Sequence, residues 1–269
     1  MQTLFSVFCV FAAVPLGSFQ TEQPVNSQGT IISQRLQVPA GYQRSVATQK
    51  SFGAFLQNYT LLPHNTHVMT YNGVISPLDA HALAVLSIEV GKKDLLQCAD
   101  AVMRLRAEYL YQNNRKNEIQ FKFVSGFNCD YLSYQNGKRF NLKTNSWQQS
   151  QKADASYKNF LNYLDLVYSY ASTLSLEKEL EKVKDNTLQV GDVFIKGGSP
   201  GHCFIVVDIA ENPATKAKVF AIAQGFMPAQ QVHIVKSQNG VYWFSLGTDY
   251  SEAIPYGELL QPQYLRRFK

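Results

Sequence analysis

Residues 191–224 read GDVFIKGGSPGHCFIVVDIAENPATKAKVFAIAQ, and this stretch decides the fold. Asp192 to Lys196, His202 to Ile209 and Lys218 to Ala223 are short runs rich in β-branched and aromatic residues, punctuated by Gly, Pro and Asn. Gln231 to Lys236 and Val241 to Ser245 continue the pattern. Short strands this closely spaced predict a small antiparallel sheet or barrel in the last third of the chain.

Upstream the texture changes. Asp94 is placed to cap a helix running to about Gln112, and a second long helix is expected over Ala153 to Ser172, followed by a shorter one capped by Ser175. Alternation in Thr30 to Val38, the apolar run Ala82 to Val90, and the segments Ile119 to Val124, Cys129 to Tyr134 and Arg139 to Leu142 read as strands. No repeat and no long linker divides the chain. The expectation is therefore one α+β domain over residues 30–269, with a helix-bearing first half packed on the β-rich second half.

With 269 residues, 45% hydrophobic and 13% aromatic, the chain has the apolar content for a full core, which excludes general disorder. A net charge of +5 comes from scattered Lys and Arg, not from a basic stripe interleaved with aromatics, so no nucleic-acid partner is expected. Leu4 to Leu16 is uncharged and too short to span a bilayer but suits a signal peptide, taken as residues 1–18. A disordered polar segment is expected over 19–29. These features predict an exported protein of the periplasm or cell envelope whose mature chain has no integral membrane segment.

Thiol catalysis requires a Cys that ionises readily, an imidazole within reach and a group that orients the ring. Cys98 falls in the first turns of the helix capped by Asp94, where orphan amides and the positive end of the macrodipole favour a thiolate. Gln97 beside it is a candidate oxyanion donor. His202 opens a strand directly after a glycine loop, and Gln224 ends the next strand, placed to meet the ring if the two strands form a hairpin. Cys98 also shares a helical stripe with Val102, Leu105 and Tyr109, the pattern of an ordinary core cysteine. Cys203 alternates to the opposite strand face from His202 and is not expected to be the partner thiol. Arg104 and Arg106 are candidate clamps for a substrate carboxylate, although Asp100, Arg104 and Glu108 equally suit a ladder of helix ion pairs. Ser125 and Tyr131 are candidate cleft residues. His64 and His67 lack a third ligand, so no metal is expected.

Gln97-Cys98 opening a helix, Gly191-Asp192-Val193 and Gly201-His202-Cys203-Phe204-Ile205-Val206-Val207 together resemble the CHAP and NlpC-type branch of papain-like amidases and endopeptidases. More closely, Gln97 to Tyr109, Pro200-Gly201-His202 and Gln224 to Gln230 resemble a bacterial exported family described as domain of unknown function 4846. The enzyme resemblance implies a papain-like fold with a helical insertion around 148–185. It also implies attack of the Cys98 thiolate on an amide, murein or other peptides as substrate, and no cofactor. The alternative is an inactive papain-like scaffold that binds peptide or glycan.

Overall fold

The computed structural model describes residues 23–183 and 187–269. The expected signal peptide lies outside these residues. Six helices are described: α1 (Ile32–Arg35), α2 (Phe52–Gln57), α3 (Cys98–Gln112), α4 (Tyr131–Gln135), α5 (Tyr157–Tyr170) and α6 (Thr173–Glu179). The strands are β1 (Gln43–Arg44), β2 (Ala82–Val85), β3 (Gln120–Lys122), β4 (Asn128–Asp130), β5 (Lys138–Asn141) and β6 (Ser146–Gln149), then β7 (Glu181–Lys182), β8 (Val193–Lys196), β9 (His202–Glu211), β10 (Lys218–Gln224), β11 (His233–Val235) and β12 (Leu265–Arg267).

The expected β-rich half forms an open antiparallel sheet in the order β2-β11-β10-β9-β8-β12-β7, with β1 on the far part of β9; it does not close into a barrel. β9 is its spine. It pairs β8 from Lys196↔His202 to Val193↔Ile205 and β10 from Lys218↔Glu211 to Ala223↔Ile205. Alternation along β9 serves two cores, with Cys203, Ile205 and Val207 in one and Phe204 and Val206 in the other. The first core holds the buried stripe of α3, including Val102 and Leu105, together with Phe160 and Leu164 of α5. The region expected as a helical insertion thus contributes to the main core of the domain. Two small hairpins, β3-β4 and β5-β6, stand apart from the sheet.

Four departures from the sequence reading have identifiable causes. Thr30 to Val38 is not a strand, because Ile32 and Leu36, one helical turn apart, are both fully buried and close the short helix α1. Residues 131–135 turn from strand to helix because the Asp130 carboxylate accepts the Ser133 N–H at 2.7 Å and caps α4. Val241 to Ser245 contributes only a bridge between Phe220 and Phe244. Residues 23–29 are pinned: the Gln23 amide oxygen accepts the N–H groups of Tyr242 and Trp243, both at 2.9 Å, and Val25 bridges Leu36.

Candidate thiol site

The α3 N-terminus begins three residues later than expected, since the cap is Gln97 and not Asp94. Gln97 is the N-cap, in extended conformation, and Cys98 is the first helical residue. Asp100 folds back to accept the Gln97 N–H at 3.0 Å. Asp94 ties this turn to the loop after β10, since its Oδ1 accepts from the Ala229 N–H at 2.6 Å and from Gln97 Nε2 at 3.1 Å. Gly225 closes the gap from the other side. A Cβ there would stand 2.6 Å from the Gln97 carbonyl oxygen and 3.1 Å from the Ala101 Cβ, so only glycine lets the end of β10 approach α3 this closely.

His202 is held as firmly. Gly201 has no room for a side chain, as a Cβ would meet the Gly198 oxygen and the Thr173 hydroxyl at 2.5 Å each. The imidazole is 2% exposed. It stacks on Tyr256 with centroids 4.6 Å apart and packs against Phe204 and Phe226 at 4.6 and 5.2 Å. Its Nε2 lies 2.8 Å from Gln224 Oε1. The expected hairpin of β9 and β10 therefore does bring Gln224 to the ring, and Nδ1 is the ring nitrogen that Gln224 does not engage.

Cys98 is partly exposed, whereas Cys129 and Cys203 are buried. Its thiol is held well below the ordinary value. The hydrogen bond from Cys203 is the largest cause, burial opposes it, and hydrogen bonding and charge from His202 and the Ala99 amide add to it. Cys203 moves the other way, pushed well up by burial and then by Cys98. Of the pair, Cys98 is the one that ionises, because it alone combines partial exposure with an imidazole and a helix N-terminus. Cys203 is the one that keeps its proton. Strand alternation does separate Cys203 from His202, and both side chains act on the Cys98 thiol. Burial also pushes the Asp100 carboxyl well up, and negative charge on Cys98 acts in the same sense.

The remaining candidates are engaged elsewhere. Gln97 Nε2 is bound by Asp94. Arg104 donates to Glu108 at 2.8 Å and to the Tyr157 hydroxyl at 3.2 Å, as the ion-pair reading anticipated. Arg106 donates to the Lys269 carbonyl at 3.1 Å and lies over Phe52, Tyr109 and Phe268. Ser125 donates to Asn145 at the tip of the β3-β4 hairpin. Tyr131 is fully buried against Tyr111, Phe160 and Tyr163 and lines no cleft. A cavity of about 410 Å³ beside Arg106 and Arg267 contains neither Cys98 nor His202.

One residue that the motifs do not mark extends the array. His233 of β11 sits opposite Gln224 in the strand register, with its Nε2 3.1 Å from Gln224 Nε2.

The chain belongs to the family described as domain of unknown function (4846), whose match spans residues 32–264 and so includes Cys98, Cys203, His202, Gln224 and His233. Neither the curated proteins nor the solved structures contain a match. Among the described residues no helix is long and apolar enough to cross a membrane.

Proposed function

We propose that this protein is an exported thiol hydrolase of amide bonds with a papain-like arrangement, acting on cell-wall or related peptides. The observation that carries the reading is the Cys98 thiol, lowered at a helix N-terminus and facing an imidazole whose other nitrogen is 2.8 Å from an amide oxygen. In the reaction, the Cys98 sulfur attacks the carbonyl carbon. The oxyanion forms within reach of the first-turn amides of α3. His202 Nδ1 delivers its proton to the departing amine as the C–N bond breaks, leaving a thioester on Cys98. Water then attacks the thioester and gives a proton to His202. The C–S bond breaks, the acid leaves, and the Cys98 thiolate with its protonated His202 is restored. Gln224 holds the ring in place, and Cys203 supplies a hydrogen bond to the resting thiolate. Murein peptides follow from the likeness of the Gln-Cys, Gly-Asp-Val and Gly-His blocks to CHAP and NlpC-type enzymes.

The test is incubation of the reduced protein with stem peptides and murein fragments, following new amino groups by mass spectrometry. Product is expected from the native chain and none from Cys98→Ala or His202→Ala. No cleavage of any peptide by folded, reduced protein would favour the non-catalytic peptide-binding scaffold.

A further inference from the structure

A carboxamide oxygen and nitrogen occupy nearly the same volume, but one accepts and the other donates, so something must fix the rotation. Gln224 is 1% exposed, which leaves little role for bulk water in that choice. Two imidazoles bracket it: His202 Nε2 at 2.8 Å from the oxygen and His233 Nε2 at 3.1 Å from the nitrogen. His233 is fully buried, and its Nδ1 lies 3.2 Å from the main-chain carbonyl of Gln231. A carbonyl only accepts, so Nδ1 carries the proton. In a neutral ring Nε2 is then bare and accepts from the Gln224 NH2 group. The Gln224 oxygen is thereby turned toward His202, whose Nε2 must donate, leaving Nδ1 to exchange a proton with Cys98.

We propose that His233 is a positioning residue of the Cys98 site, fixing through Gln224 which nitrogen of His202 faces the thiol. The inference rests on the reading of Cys98 and His202 as nucleophile and base. Its anchor is the main-chain carbonyl of Gln231, two residues before it, which cannot turn over as a side-chain amide can. Burial holds the His233 imidazole down to about 4, reinforced by His202 and His81 and opposed by the Gln231 carbonyl and Asp79, so the ring is neutral near pH 7. A doubly protonated His233 would set N–H against N–H. The Gln224 amide would then turn over, present its NH2 to His202 and move the His202 proton to the nitrogen that must receive one from Cys98.

The experiment measures alkylation of Cys98 by iodoacetamide at about pH 6, read peptide by peptide in the full reduced chain. His233→Leu is expected to slow Cys98 about tenfold, the effect of losing one hydrogen bond that supports a charged group. His233→Gln returns an acceptor oxygen close to the position of Nε2 and is expected to restore the rate. Wild-type reactivity in a folded His233→Leu protein would overturn the inference, as would a His233→Gln protein as slow as His233→Leu. Should the leucine variant not fold, ring-¹⁵N histidine labelling of the native chain decides the matter. The expected spectrum has His233 protonated at Nδ1 and bare at Nε2 near neutral pH, and a protonated Nε2 overturns the relay. Neither measurement uses an amide substrate. An intact relay without hydrolysis would therefore sink the proposed reaction alone, whereas hydrolysis without the relay would sink only the role of His233.

Discussion

Gly225→Ala is a small change with a calculable effect on the thiol. The added methyl would lie 2.6 Å from the Gln97 carbonyl oxygen, where ordinary contact begins at 3.4 Å, so the first turn of α3 must withdraw by about 0.8 Å. Overpacking of this kind costs roughly 1 to 3 kcal/mol. A displacement near 1 Å between reacting groups costs on the order of a hundredfold in rate. The control is Gly126→Ala at the β3-β4 turn, where φ is +85° and a Cβ meets nothing within 4 Å. That substitution forces a left-handed residue at about 1 to 2 kcal/mol without touching α3. Both variants should melt a few degrees below wild type, because about 1 kcal/mol moves Tm by roughly 2 to 4 °C in a domain of this size. Only Gly225→Ala should slow alkylation of Cys98 at about pH 6, by roughly tenfold or more, as the hydrogen bond to His202 is lost. Equal reactivity of the two variants would refute the claim that Gly225 sets the contact between helix and sheet.

Other outcomes follow from the same geometry. His233 is buried as a neutral ring and held down to about 4, so between that value and its ordinary 6.5 the unfolded chain binds more protons than the native one. Wild type should therefore lose about 3 kcal/mol relative to His233→Gln as urea unfolding is repeated from pH 6.5 down to 4, and parallel curves would show that the ring is not buried neutral. The lowered Cys98 thiol acts in the same sense over its own range: wild type should gain stability over Cys98→Ala as pH rises from the native value to the ordinary 9.0, and a flat difference would contradict it. The Cys203 shift is upward, so its effect on stability falls above that window. Arg104→Ala breaks a pair whose side chains are 11% and 4% exposed, and should cost about 3 kcal/mol in urea unfolding while leaving Cys98 alkylation unchanged; altered Cys98 reactivity would return Arg104 to the site.

Local signals made the helix end, the glycine loop and the β-rich second half legible. Cys98, His202 and Gln224 each sit at a boundary between a regular element and a loop, where composition changes visibly. Cys203 and His233 carry no such mark. Alternation correctly placed Cys203 on the other face of β9, but only the packing of α3 over that strand reveals that this face meets Cys98. His233 joins the array because of the β10-β11 register, a tertiary pairing to which no local periodicity refers. β12 escaped notice for a related reason. Arg266 and Arg267 look solvent-bound until Glu177 and Asp192 are seen to pair with them at 2.8 and 2.6 Å. The expectation that Arg104 or Arg106 would hold a carboxylate considered only their helix, whereas Tyr157 and Phe268 arrive from distant parts of the chain.

The central claim, that Cys98 is a nucleophile poised by His202, is tested most directly by the pH dependence of Cys98 alkylation in native and His202→Ala proteins. The native chain should show an inflection well below the ordinary 9.0, and removal of the imidazole should move it upward. A Cys98 that titrates at the same pH with and without His202 would contradict the account.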